Sequence, residues 1–318
     1  MAAAAAAVLA TGCAGGDGAE PSTTQSYYLS LGDSLTVGIQ PDGNGTPQET
    51  SDGYTDILYR TLYDADSTLQ HERMGCGGED TTSFLGGGIP HCDEQYGGTS
   101  QIEAAEDFLS GHEGRVGLVT LTIGGNNFTG CVTGLDGGAG PTVDTACVDD
   151  GLERVESEIP EIANRLRTAA GPGTRIVAMT YYNPFLAAQL LGDGAEASEE
   201  PGDSDGPAPP EDGPRLGEAE GELPFDAGLV GYATDVLEQL NESLRSGFAA
   251  EDIAVADVES AFGSLDGEVP ADSATGLPSN LQNVCDLTWM CNTDQGPDIH
   301  TNQAGARVIA AAFEELAR

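Results

Sequence analysis

The stretch GDSLTVG, residues 32 to 38, follows a short apolar run and sets Ser34 where a chain leaves a strand. A serine there has two readings. It is the Asp/Ser cap of a following helix, a common arrangement, or it is a nucleophile, which requires a base within hydrogen-bond reach to take its proton. The chain has four histidines. His300, in GPDIHTNQAG just ahead of a last helical stretch, is the candidate base, with a helix-cap role as the plain alternative. His71 lies within a strand segment and His112 follows a helical one, and both read as surface residues. His91, between Cys76 and Cys92, is the only rival.

These residues need a frame that brings distant segments to one edge. Apolar runs at Tyr27–Leu31, Leu69–Met74, Val116–Ile123, Arg175–Thr180 and Ile253–Ala256 read as strands. Between and after them, Tyr54–Tyr63, Ile102–Leu109, Leu152–Ala169, Leu229–Phe248 and Gln303–Leu316 carry helical periodicity, with Pro160 a potential kink in the third. Strand–helix alternation predicts a three-layer α/β/α sandwich on a parallel sheet of about five strands. In such sheets ligands bind beyond the carboxyl ends of the strands. There stand Gly32–Leu35 after the first strand, GCGGEDTTS (75–83) after the second, IGGNNF (123–128) after the third, and GPDIHTNQAG before the last helix.

Composition removes several alternatives. The 318 residues carry 53 acidic and 11 basic side chains, a formal charge of −42, and all of the basic ones are arginine. Without lysine there is no Ser-Lys dyad, pyridoxal Schiff base or P-loop. The charge also excludes nucleic acid and an anionic membrane surface as partners, and its plain reading is adaptive solvation. No cofactor is implied, and a monomer is expected.

Residues 1–25 read as a leader and tether, and residues 26–318 as the folded domain. MAAAAAAVLATGCAGG has the size of a signal core, too short to span a membrane, and Thr11-Gly12-Cys13 resembles a bacterial lipobox in which Cys13 takes the lipid. A disordered Ala/Gly leader is the alternative. Setting Cys13 aside leaves six cysteines, and the simplest pairing is local: Cys76 with Cys92, Cys131 with Cys147, Cys285 with Cys291. Six cysteines allow 15 connectivities, so order is only a preference. Disulfides imply export. A metal site ranks low, because no CxxC occurs and Cys285, Cys291 and His300 lack a standard ligand spacing. Residues 192–222 carry 11 acids against the single Arg215, and read as a disordered, solvated insertion.

The blocks GDSLTVG, GCGG, IGGNN and the C-terminal histidine, in that order, resemble the GDSL or SGNH hydrolases, from about residue 26 to the C-terminus apart from the acidic insertion. The cysteine order, with CDLTWMC ahead of the histidine, is more specifically similar to the secreted actinobacterial esterase and lipase branch. The resemblance implies a flavodoxin-like fold, Ser34 as nucleophile, His300 as general base, and an oxyanion hole made by the backbone N–H groups of Ser34 and Gly78 and the side-chain amide of Asn126. An amide suits that role because it donates without titrating. Two departures stand out. Asn127 replaces the aspartate of the usual Gly-Gly-Asn-Asp, and Pro297 occupies the position three before the histidine where the family's acid belongs. Asp298, two before, is therefore the candidate acid, with a main-chain carbonyl as the favoured substitute and Asp286 and Asp294 as remoter ones.

The expected activity is hydrolysis of small-molecule acyl esters or lipids through an acyl-enzyme, by a protein that is secreted or anchored outside the cell through Cys13. A carbohydrate acetyl esterase, a phospholipase, or a cell-surface binding module without turnover on the same fold remain alternatives. Phe84, Phe128, Phe185 and Leu186 are candidates for an acyl groove, or ordinary core.

Overall fold

The computed structural model describes residues 26–133, 142–187, 223–224, 227–292 and 294–317. The leader with Cys13, the acidic stretch 192–222 and the side chain of Phe185 lie outside the described residues.

Five parallel strands form the central sheet: β1 (Tyr27–Gly32), β2 (Gln70–Arg73), β3 (Val116–Thr122), β4 (Arg175–Met179) and β5 (Ala254–Ala256). Their spatial order is β5-β4-β3-β1-β2. The chain therefore winds outward from β1 in both directions, and the switch between β1 and β3 opens a crevice at their carboxyl ends. β1 and β3 are almost wholly buried, as strands covered on both faces must be.

The two helical layers follow from the apolar stripes. Helices α1 (Tyr54–Ala65) and α9 (Gln303–Ala317) pack together, with Tyr54 stacked on Phe313. On the other side α4 (Gln101–Gly111), α5 (Thr145–Ala170) and α6 (Ala227–Ala249) lie side by side. In α5, Val155, Ile159, Ile162, Ala163 and Leu166 are all buried at spacings of three and four, each large side chain contributing roughly 1.5–3 kcal/mol. Pro160 does not interrupt this helix, which runs on to Ala170. Four shorter helices, α2 (Thr81–Gly86), α3 (Pro90–Gln95), α7 (Val258–Ala261) and α8 (Ser279–Leu287), line the loops at the site edge.

Three disulfides join Cys76 to Cys92, Cys131 to Cys147 and Cys285 to Cys291. Each staples a loop rather than the sheet. His71 departs from the surface reading: it stacks on Tyr28 at 4.5 Å and bonds Ser30 Oγ at 2.9 Å, and burial holds it neutral with a pKa near 3. His112 closes α4 by bonding the Phe108 carbonyl at 2.8 Å and stacking on that ring. His91 is exposed and bonds the Gly77 carbonyl at 3.1 Å.

Candidate active site

At the exit of β1 the chain must turn sharply under Thr122. Gly32 adopts φ +119°, and a Cβ there would sit 1.9 Å from the Thr122 carbonyl oxygen, so only glycine fits. The Gln101 side chain, at the start of α4, grips both backbone groups of Gly32: its Oε1 accepts from the N–H at 2.5 Å and its Nε2 donates to the C=O at 3.1 Å. Asp33, 2 % exposed, then closes the turn. One of its oxygens accepts from Leu35 N–H and Thr122 Oγ1, the other from the Tyr181 hydroxyl at 2.5 Å. Burial raises the Asp33 pKa, against the opposing pull of these bonds. Ser34 is thereby held at the top of the sheet, partly exposed.

His300 is supplied from the opposite side of the crevice, ahead of α9. Its Nδ1 lies 2.6 Å from Asp298 Oδ1, and its backbone N–H donates to the same oxygen at 2.7 Å. The group in contact with the imidazole nitrogen is thus the Asp298 carboxylate and not a main-chain carbonyl. An aspartate side chain folds readily onto the backbone two residues on, as an Asx turn, and here the imidazole of that residue follows. The bond fixes the tautomer with hydrogen on Nδ1 and leaves Nε2 available toward the cavity. Burial would raise the Asp298 pKa, but the bonds and charge of His300 outweigh it and the net shift is downward.

The two asparagines after β3 separate cleanly. Asn127, 3 % exposed, accepts from Thr81 N–H at 3.1 Å and donates to Thr81 Oγ1 at 2.6 Å, clamping the second block to the third. An amide suits this place because the site needs a donor and an acceptor together. Asn126 faces the cavity and donates one amide hydrogen to the Glu79 carbonyl at 3.0 Å, while Thr129 Oγ1 donates to its oxygen. Its second N–H has no partner among the described residues.

Ser34, Asn126 and His300 line one cavity of about 160 Å³. Its remaining wall is mostly apolar, with Leu35, Phe128, Val148, Val236, Leu237 and Leu240 among the lining side chains. Of the other groove candidates, Phe84 and Leu186 are buried in apolar clusters and do not line the cavity. Gly78 is not part of the wall. It sits exposed at φ +92°, with nothing within 4 Å of a Cβ position, one residue before the Glu79 that holds Asn126. Cys76, His91 and Cys92 also bring ligand atoms together, but the disulfide consumes the thiolates that a metal would need.

Tyr181, Gln101 and Glu79 are supporting residues that sequence reasoning did not single out. The signal for Gln101 was the capping box Ser100–Glu103, which begins α4 one residue before the expected start.

The sequence profile of the GDSL-like lipase/acylhydrolase family matches residues 30–308. Among solved structures, an extracellular lipase from Streptomyces rimosus superposes with a TM-score of 0.51 at 15% identity, covering 92% of this chain and 99% of that one. A phospholipase A1 from Streptomyces albidoflavus gives 0.43 at 18% identity over 82% and 99% of the two chains. A mutant of an acetylxylan esterase from Geobacillus stearothermophilus gives 0.49 at 12% identity over 92% and 94%. A comparison with curated protein sequences returns no significant match. At these identities the lipase likeness supports the fold alone, and the profile, spanning nearly the whole described sheet and both the Ser34 and His300 blocks, assigns the chain to the GDSL-like lipase/acylhydrolase family.

Proposed function

We propose that the chain is a serine ester hydrolase that forms an acyl-enzyme on Ser34. The observation that carries this reading is the convergence of Ser34, Asn126 and His300 on one cavity, with Asp298 2.6 Å behind the imidazole. In the first step Nε2 of His300 takes the Ser34 proton as Oγ attacks the ester carbonyl, and Asp298 stabilises the imidazolium. The backbone N–H of Ser34 and the free N–H of Asn126 receive the oxyanion, and the family resemblance adds the N–H of Gly78, which lies outside the cavity wall. Collapse breaks the C–O bond to the alcohol, which leaves with the proton from His300. Water, deprotonated by the same histidine, then hydrolyses the acyl-serine.

The cavity supports an acyl group larger than acetyl. Its volume, about 160 Å³, is close to the ~150 Å³ of an apolar cavity that takes up benzene. A six-carbon chain fills such a space, and acetyl leaves most of it empty. A binding module has no need for an oriented imidazole or for a second asparagine hydrogen left unpaired. The three disulfides, the leader reading of residues 1–25 and Cys13 support a protein exported from the cell and anchored through that cysteine. Among the described residues no helix is long and apolar enough to cross a membrane.

The test compares kcat/KM for p-nitrophenyl esters from acetate to dodecanoate. The expected result is an optimum near hexanoate, at least tenfold above acetate. An optimum at acetate would refute the acyl assignment.

A further inference from the structure

Glu79 is a buried carboxyl that the proposed chemistry does not use. It is 1 % exposed, yet it lies one residue from Gly78, and its own carbonyl holds the Asn126 amide. Two of the three proposed oxyanion donors are therefore attached to it through one peptide bond or one hydrogen bond.

Its surroundings suit a neutral acid better than a carboxylate. Ser83 Oγ donates to Glu79 Oε2 at 2.8 Å. Gln101 also faces the carboxyl, but its two amide hydrogens already serve the Gly32 carbonyl at 3.1 Å and the Tyr96 hydroxyl at 2.8 Å. Tyr96 in turn spends its proton on the Met74 carbonyl at 2.7 Å. A carboxylate has about four lone-pair sites to satisfy, and one hydroxyl is committed to them. The charged neighbours are Asp80, at the start of α2, and Asp93 on α3, both of its own sign. Gln101 links this cluster to Gly32, two residues before Ser34.

We propose that Glu79 is a positioning residue that keeps the Gly78–Asn126 oxyanion loop in register with Ser34 while its carboxyl is protonated, and that its ionisation loosens that loop. This rests on the ester-hydrolase reading above. Burial, with Asp80 and Asp93 adding to it and Ser83 and Gln101 opposing, raises the pKa to about 7, which puts the change inside the working range of an esterase. Ionisation draws solvent or donors toward a group surrounded by acids, and the segment that can yield is the exposed turn at Gly77–Gly78. The consequence falls on the oxyanion donors and leaves the imidazole, on the far side of the crevice, as it was.

The experiment is the pH profile of kcat/KM on a soluble p-nitrophenyl ester, corrected for spontaneous hydrolysis, in the wild type, Glu79→Gln and Ser83→Ala. The wild type should lose tenfold or more between pH 6 and pH 9. In Glu79→Gln the same interval should change kcat/KM by less than twofold. Ser83→Ala removes the one hydroxyl bonded to the carboxylate, so its alkaline fall should move to higher pH, which keeps the test open if Glu79→Gln does not fold. The acid limb should coincide in all three. A wild-type profile flat above pH 7, an alkaline fall retained in Glu79→Gln, or a Ser83→Ala limb that stays in place overturns the proposal. Labelling of Ser34 by a fluorophosphonate, followed alongside at pH 6, separates these outcomes from failure of the ester-hydrolase reading itself.

Discussion

Asp298 reaches His300 by a route that a three-residue spacing would not use. One carboxylate oxygen accepts both the backbone N–H and the Nδ1 hydrogen of the residue two positions later. A single side chain thus builds the turn and sets the ring. A main-chain carbonyl in the orienting role predicts that removing the carboxylate charge costs little. The geometry predicts the opposite. Asp298→Asn should lower turnover by at least a hundredfold and on the order of 10⁴, the loss seen when a triad aspartate becomes an amide that supports the wrong tautomer. Steady-state kinetics with a thermal melt to confirm folding decides it, and turnover within tenfold of the wild type would return the role to a carbonyl.

At the scale of elements, the site depends on how β1 ends. Gly32 is enclosed by the Thr122 carbonyl on one side and by both arms of Gln101 on the other. Gly32→Ala adds a methyl to a positive-φ residue with no room for it, which means a shift of β1 against β3. The expected loss is more than about 3 kcal/mol, strain and displaced packing together, read as a drop in Tm on the order of 10 °C. A change of only a degree or two would show that the strand exit tolerates a side chain.

All five sheet strands end within a residue or two of their expected bounds; β1, β3 and β4 were legible as apolar runs, because strands covered on both faces have nowhere to place polar residues, whereas the edge strand β2 is polar and only partly buried. The five long helices were legible for the same reason, through their buried stripes. The missed pieces are short and polar. α2 and α3 have six residues each, too few to show a period, and they start at Thr81, capped by Asp80, and at Pro90 within a glycine- and cysteine-rich loop. The first two turns of α5, Thr145–Gly151, were missed because Asp149, Asp150 and Gly151 read as a loop, although Asp144 accepts from Cys147 N–H there as a helix cap does. Ser34, Asn126 and His300 could be singled out because reactive types stood at strand exits, and the structure brings the three to one cavity. Tyr181, Gln101 and Glu79 were not, since their significance lies in partners 47 to 148 positions away.

Over the whole molecule, the −42 charge bears on solvation more than on chemistry. The fold delivers Ser34, Asn126 and His300 from three separated stretches to one cavity, and in the proposed reaction this cavity makes the Ser34 hydroxyl a nucleophile. Incubation with a fluorophosphonate, intact-mass measurement and peptide mapping test that claim without a choice of substrate. The expected result is one adduct per chain, located on Ser34, absent in Ser34→Ala and strongly slowed in His300→Ala. An unlabelled folded protein, or an adduct on any other residue, would contradict it.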